Sequence, residues 1–321
     1  MIELTRTGKN TLVVENPVLV ASGIFGFDGA PYQDLLDLTK IGAMVTNPVT
    51  WKPRHVARGP RVVALPSGAL VHTGLPNPGL RRVVQIYGER WKHSHVPVIV
   101  HIAATSASDV ARCATVLENC EGVAALELGL HDQSTRAEVP DMIRAALENT
   151  QLPLLVQLPL YSAQSLAKIA QDAGAGALVV AAAPRGTARD PESGRLVGGR
   201  VYGPWIKAQA LRAVGQVVQS AAVPVIACGG IHSPDDARDF IEAGASAVQI
   251  DTLVWTQPHM LDVMARNLGG LELTRATGAL ADEWEPGMGQ TMWLDRQKRW
   301  HNLPADDESG ALSPPDHLPE E

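Results

Sequence analysis

Apolar residues along this chain gather into eight short runs, each closed by small or polar residues, with stretches of helical periodicity between most of them. The runs are NPVLVASG from Asn16, GAMVTNPVT from Gly42, PVIVHIAA from Pro97, VAALELGL from Val123, PLLVQLP from Pro153, ALVVAAA from Ala177, and the two in PVIACGGIHSPDDARDFIEAGASAVQIDT from Pro224. Continuous rather than alternating apolar character marks strands covered on both faces, as in a parallel sheet. Between the runs, YQDLLDLTK from Tyr32, Leu80 to Lys92, Ser106 to Asn119, Arg136 to Glu148, SAQSLAKIAQDAG from Ser162 and the segment after Pro204 read as helices. Ser106 or Ser108, Ser162 and Ser233 stand at N-cap positions, and Gly174 and Gly244 stand where helices end in a left-handed residue. Eight strands alternating with helices predict a single (β/α)8 TIM barrel, α/β in class, over residues 1–280, with working residues at the C-terminal strand ends.

Two segments break the alternation. Thr50 to Gly79 carries five prolines and PRGTARDPESGRLVGGRVYGP from Pro184 is rich in glycine, so both read as long irregular excursions of the kind that usually serve function. From Ala281 the chain turns to tryptophans and then to an acidic, proline-rich end, ADDESGALSPPDHLPEE, expected to be a disordered extension over residues 281–321.

Composition narrows the partners. A net charge of -7, with 45% hydrophobic and 19% charged residues, argues against a nucleic-acid or anionic-membrane surface, which needs clustered cations. No apolar run approaches a membrane span and no signal-like segment opens the chain, so a cytoplasmic protein is expected. The three cysteines, Cys113, Cys120 and Cys228, are too scattered for a disulfide framework or a metal set, and Cys113 and Cys120 are expected to pack as core.

The strand ends themselves present Ser22, Asn47, His101, Gly129, Gln157, Ala182, Gly229 with Gly230, and Asp251 with Thr252. Turns after the seventh and eighth strands of a barrel can aim N–H groups at one phosphate, and Gly229, Gly230 and Thr252 occupy that place. The alternative is a plain turn. An isomerase or lyase reading lacks support, because no lysine or carboxylate pair sits at the strand ends.

NPVLVASGIFGF, TNPVTWKPR from Thr46, PSGALVHTGLPNPGL from Pro66, GGRVYGPWIKAQALRAV from Gly198 and the Pro224 to Thr252 segment, in this order, resemble the dihydroorotate dehydrogenases, FMN-dependent TIM barrels of pyrimidine biosynthesis. The resemblance implies an FMN oxidoreductase acting on a small molecule, with the ring against Ala21, Ser22, Gly23, Asn47 and Gln157, the phosphate at Gly203, Gly229, Gly230, Asp251 and Thr252, and substrate over Gly74, Leu75 and Asn77. A homo-oligomer or an electron-transfer subunit with iron and sulfur is the expected partner. The membrane-lodged branch carries an N-terminal helical extension that does not precede this segment.

The matched positions also differ from the family pattern. Asn47 and Gln157 stand where the family has lysines beside the flavin. Gly129, Asp132 and Ser134 replace an asparagine, the cysteine or serine base and a second asparagine, and Val71 and Ala182 replace ring-gripping asparagines. Asp132, with His131 beside it, is the candidate acid/base; the competing reading makes the pair a solvated loop with Asp132 capping the next helix. Asp251 replaces a glycine and is expected to point away from the phosphate, with Arg185, Arg189, Arg195 or Arg200 as compensating cations. Tyr202 replaces a serine. Two functions stay open: an oxidoreductase with an altered substrate, and a catalytically silent barrel that binds a partner or an anion.

Overall fold

The computed structural model describes residues 1–5 and 11–276, with side chains as far as residue 269. The eight apolar runs close into a parallel barrel. Its strands are β1 (Val18–Val20), β2 (Ala43–Val45), β3 (Val98–Ala103), β4 (Val123–Gly129), β5 (Leu154–Pro159), β6 (Ala177–Ala182), β7 (Val225–Cys228) and β8 (Ala247–Ile250), and β8 pairs back onto β1. Both faces of these strands are buried, which is why the sequence shows runs and not alternation. The barrel falls within one compact unit, Met1–Leu280. The tail expected at residues 281–321 lies outside the described residues.

Around the barrel lie α1 (Leu80–Lys92), α2 (Ala107–Glu118), α3 (Glu138–Leu147), α4 (Ala163–Asp172), α5 (Lys207–Val218), α6 (Pro234–Glu242), a short α7 (Leu253–Thr256) and α8 (His259–Ala276). Ser106 and Ser233 cap α2 and α6 through their hydroxyls, accepting from the N–H of Asp109 at 3.2 Å and of Asp236 at 3.1 Å. Ser162 precedes α4 but its hydroxyl caps nothing. Asp132 is not the cap of α3 either: Thr135 and Glu138 form a reciprocal capping pair there, with Thr135 N–H to Glu138 Oε2 at 2.9 Å. Asn16 donates to the Ala265 carbonyl at 2.8 Å and so ties the entry of β1 to α8.

Three expectations are corrected. Tyr32 to Lys40 forms two short 3-10 turns, Ala30–Tyr32 and Leu38–Lys40, because Asp37 intervenes and accepts from Thr39 N–H at 3.2 Å, starting a new turn where one helix was read. The two excursions are not irregular either. Val62–Leu65 and Gly68–Val71 form a hairpin, Arg185–Arg189 and Leu196–Tyr202 another, and Leu196–Tyr202 pairs with Gly68–Val71 to make one antiparallel sheet. Buried Val63, Leu70, Val197 and Val201 hold it together, four apolar positions among many prolines and glycines. Because these loops leave β2 and β6 at their C-terminal ends, the sheet belongs to the mouth side of the barrel. Cys113 is core as expected, whereas Cys120 is only partly buried.

Glycines mark where backbone meets backbone. A Cβ at Gly122, whose φ is +89°, would lie 2.3 Å from the Lys92 nitrogen, whereas one at Gly215 in α5 meets nothing within 4 Å. Gly122→Ala should therefore destabilise the protein by at least about 2 kcal/mol, and Gly215→Ala should stabilise it by about 0.5–1 kcal/mol; urea denaturation of the two variants measures both.

Candidate active site

The C-terminal strand ends bring Ser22, Asn47, Gly129, Gln157, Gly229, Gly230, Asp251 and Thr252 to one mouth, since all eight strands run parallel. Ser22 Oγ donates to the Thr46 carbonyl at 2.8 Å, and Asn47 N–H donates to the Gly26 carbonyl at 2.7 Å, so both side chains are placed by backbone at the ends of β1 and β2. The Asn47 Oδ1 is buried without a hydrogen-bond partner. Such an atom is uncommon in a folded protein and suits a site that expects a donor from a ligand. Gly129 and Gln157 are register partners on β4 and β5. Ala21 closes β1 by donating to the Ile250 carbonyl at 2.9 Å.

Beneath this ring lies a polar cluster that strand-end reading did not assign. Glu127 on β4 and Gln249 on β8 are both 0% exposed, and Gln249 Nε2 donates to Glu127 Oε2 at 2.6 Å. In the strand order β4 and β8 are four places apart either way, so this bond spans the barrel interior. His101 on β3, the register partner of Glu127, puts Nδ1 2.7 Å from Glu127 Oε1. A Cβ at Gly129 would lie 2.3 Å from His101 Nε2, so the imidazole fills the space that a side chain at position 129 would need. The sequence carried a signal for this cluster: Glu127 and Gln249 are the polar interruptions of otherwise apolar runs.

Asp132 follows β4 in the loop leading to α3. Arg200 holds it with two nitrogens, Nη1 to Oδ1 at 2.8 Å and Nη2 to Oδ2 at 2.7 Å, and Arg185 Nε adds a third bond at 3.2 Å. Arg200 Nη1 also donates to the Ala183 carbonyl at 2.6 Å. A bidentate, twice-paired carboxylate is held as an ion-pair acceptor, and any proton transfer through it must first open this pair. His131 is exposed and its Nδ1 accepts the Gln133 N–H at 3.2 Å. Three of the four proposed compensating cations are thus committed elsewhere: Arg185 and Arg200 to Asp132, and Arg189 to the Gly194 carbonyl at 2.6 Å.

The phosphate end has its own departures. Gly229 and Gly230 have φ of +113° and +73°, a turn that only glycine makes freely. No described residue accepts a hydrogen bond from either N–H. A Cβ at Gly230 would lie 2.3 Å from the Lys207 nitrogen, so this glycine also lets α5 approach. Asp251 turns onto its own neighbour. It is 4% exposed, and its Oδ1 accepts Thr252 N–H at 2.6 Å and the Thr252 hydroxyl at 3.2 Å. The short reach to its own neighbour's N–H folds the carboxylate back into the protein. There, burial raises its own proton affinity, with His232 opposing. Burial also pushes up the Tyr202 phenol and the Cys228 thiol, and the Asp251 charge adds to both shifts.

Of the residues read as substrate contacts, Asn77 is buried and occupied: Oδ1 accepts Gly79 N–H at 3.0 Å while Nδ2 donates to Thr50 Oγ1 at 3.1 Å and the Leu75 carbonyl at 3.0 Å. It braces the loop that displays Leu75, 40% exposed and at φ +55°, and Gly74. Gly203, at φ +148°, lies against the Ser67 carbonyl, 2.2 Å from where its Cβ would be. Among the described residues no group of three or more His, Cys, Asp or Glu could hold a metal, and no helix is long and apolar enough to cross a membrane.

A parallel eight-stranded barrel with a glycine turn after β7 and polar groups at the C-terminal strand ends places the candidate site of a (β/α)8 barrel at that mouth. The family model described as dihydroorotate dehydrogenase matches residues 6–271. The dihydroorotate dehydrogenase B (NAD(+)) catalytic subunit of Desulforudis audaxviator is 36% identical over 273 residues, covering 80% of this chain and 89% of that protein. The proteins of the same name from Desulforamulus reducens and Trichlorobacter lovleyi are each 35% identical, over 76% and 85% of this chain and 85% and 93% of theirs. The chain belongs to the dihydroorotate dehydrogenase family.

Two outcomes test this geometry. Glu127→Ala should cost about 3–5 kcal/mol, since it strips the partner from two buried polar side chains, with chemical denaturation as the measurement. For Asp251 the folded-state proton affinity is raised, so the stability it allows is complete below the unfolded value near pH ~3.9 and is lost as pH rises through the folded one. Asp251→Asn, which does not ionise, should therefore melt increasingly above the parent as pH is raised from acid to alkaline.

Proposed function

We propose that this chain is an FMN-dependent oxidoreductase of the CH–CH dehydrogenating type, working at the C-terminal mouth of its barrel. The carrying observation is that one mouth combines the positive-φ Gly229–Gly230 turn, its N–H groups unpaired among the described residues, with the uncharged polar ring of Ser22, Asn47 and Gln157, in a member of this family. The residues fit a flavin: the unpartnered, buried Asn47 Oδ1 suits a ring N–H, Gln157 offers an amide donor, and the glycine turn suits an anion. FMN supplies the two-electron acceptor when bound.

The chain's own groups set the rest. Ser22, Asn47 and Gln157 orient the ring without placing a positive charge beside it. Asp132, with His131, is the candidate proton acceptor, released when the Arg200 pair opens. The substrate is a small molecule. Positions 71, 129 and 182 carry Val, Gly and Ala where the family's pattern has amides, and each lost amide leaves a group of dihydroorotate unpaired at about 1–3 kcal/mol. An altered substrate therefore has more support than dihydroorotate. The relatives' name, a catalytic subunit with NAD(+), supports a partner subunit; that this partner carries electrons onward, and that the protein works in the cytoplasm, are parts of the same proposal. The name also favours this reading over a silent barrel.

Heat-denatured protein should release FMN, identified by chromatography. Colourless protein that takes up no added flavin sinks the proposal. The FMN-loaded protein mixed anaerobically with dihydroorotate should keep its flavin absorbance, while other CH–CH reductants in a screen should bleach it. Rapid bleaching by dihydroorotate would show that the missing amides and lysines matter little.

A further inference from the structure

We infer that Asp251 makes the phosphate end of this site select against the ionised phosphate, so that the chain takes up FMN only together with a proton and prefers the uncharged flavin, riboflavin, as the solution becomes alkaline. The inference rests on the flavin reading above and concerns which charge state and class of flavin the site accepts.

Cys228 on β7 pairs with Gln249 on β8, so Gly230 and Asp251, each two residues further on, leave adjacent strand ends side by side. The carboxylate is therefore beside the turn whose N–H groups would meet a phosphate. It is buried, and Asp251 Oδ1 already uses the Thr252 N–H and hydroxyl, the donors that β8 would otherwise contribute. A phosphate here competes with a fixed anion for the same donors.

Among the described residues no lysine or arginine is paired with that anion, and the opposing charge it has is that of His232. Facing Asp251 are His232 from the turn before α6, Tyr202 from the mouth sheet and Cys228 from β7. Tyr202 and Cys228 become negative when they ionise, and burial keeps both neutral. His232 is the group among these that can carry a positive charge. Lys207, whose backbone lies against Gly230, gives its ammonium to Asp236 and Asp239 at 2.6 Å each. One proton resolves the conflict. A neutral carboxylic acid donates one hydrogen bond and removes the like charge, so the same side chain that repels a phosphate when ionised can bind it when protonated. The proton resides on Asp251 or on the phosphate, whose second ionisation lies near pH ~6.

The experiment titrates the full-length apoprotein with FMN and, separately, riboflavin at about pH 5.5 and about pH 8, reading flavin fluorescence and binding heat. Parent, Asp251→Gly and Asp251→Asn are compared. For the parent, FMN should weaken at least roughly tenfold from the acid to the alkaline condition while riboflavin changes little, and riboflavin should be the tighter ligand at about pH 8. Binding heats in buffers of different ionisation enthalpy should show a proton taken up with FMN and none with riboflavin. Both variants should lose most of the pH dependence, and Asp251→Gly should prefer FMN throughout. FMN binding more tightly than riboflavin to the parent at both pH values, or variants that keep the parent's pH profile, overturns the inference and leaves the flavin reading standing. Binding of neither flavin to the parent or to Asp251→Gly overturns the flavin reading, and this inference with it.

Discussion

A carboxylate at the centre of a barrel is the constraint on which the mouth of this protein depends. Glu127 is fully buried between parallel strands and must have partners, because an unpaired charge in such a place is far too costly to keep. Gln249 reaches it across the barrel from β8 and His101 from the neighbouring β3. These bonds fix more than the carboxylate. In the neutral imidazole they hold the proton on Nδ1, leave Nε2 as an acceptor and turn the ring beneath position 129. Position 129 must then be glycine, since any Cβ would meet the ring. A residue with no side chain at a strand end, which in isolation looks like the loss of a ligand contact, is the consequence of a polar network one layer below.

A second coupling ties the loop after β4 to the sheet over the mouth. Arg200 belongs to Leu196–Tyr202, the strand that joins the two hairpins, and its guanidinium grips Asp132 and the Ala183 carbonyl together. The pair is partly buried, so it is screened less than a surface salt bridge and its bidentate geometry adds direction. The sheet and the Asp132 loop are thereby tied to each other through one guanidinium.

Much of this was legible in the sequence, and the misses have physical causes. The barrel could be read because strands buried on both faces leave unbroken apolar runs such as VIVHIA and ALVVAA, and the glycine pair after β7 because no other residue makes that turn. The mouth sheet was missed because its core is four aliphatic residues scattered through Pro- and Gly-rich sequence, with partners more than a hundred residues apart, and no local pattern encodes such pairing. The Glu127, Gln249 and His101 cluster was half visible. A glutamate inside VAALELG announces a buried charge, but the partner that satisfies it comes from the far side of the barrel, and only closure brings the two together. For Asp251 the strand-end position is legible, whereas the direction of its side chain is set by the N–H of the next residue, which captures the carboxylate.

The substitutions around the mouth share a sign. The resemblance assigns lysines to positions 47 and 157 and a glycine to position 251, where this chain has Asn47, Gln157 and Asp251. Two positive charges are thus replaced by amides and one negative charge is added, while the nearby arginines are occupied by Asp132. In a cavity of low dielectric such changes act together, because each charge is felt by every group lining it. Asn47 and Gln157 still donate and accept hydrogen bonds, so the shape of a planar polar ligand can be recognised while its negative charge is not rewarded. The direction of change is therefore coherent across the ring end and the phosphate end alike. On the proposed flavin reading, a mouth altered in this way rewards negative charge on a ligand less than the pattern of the resemblance does.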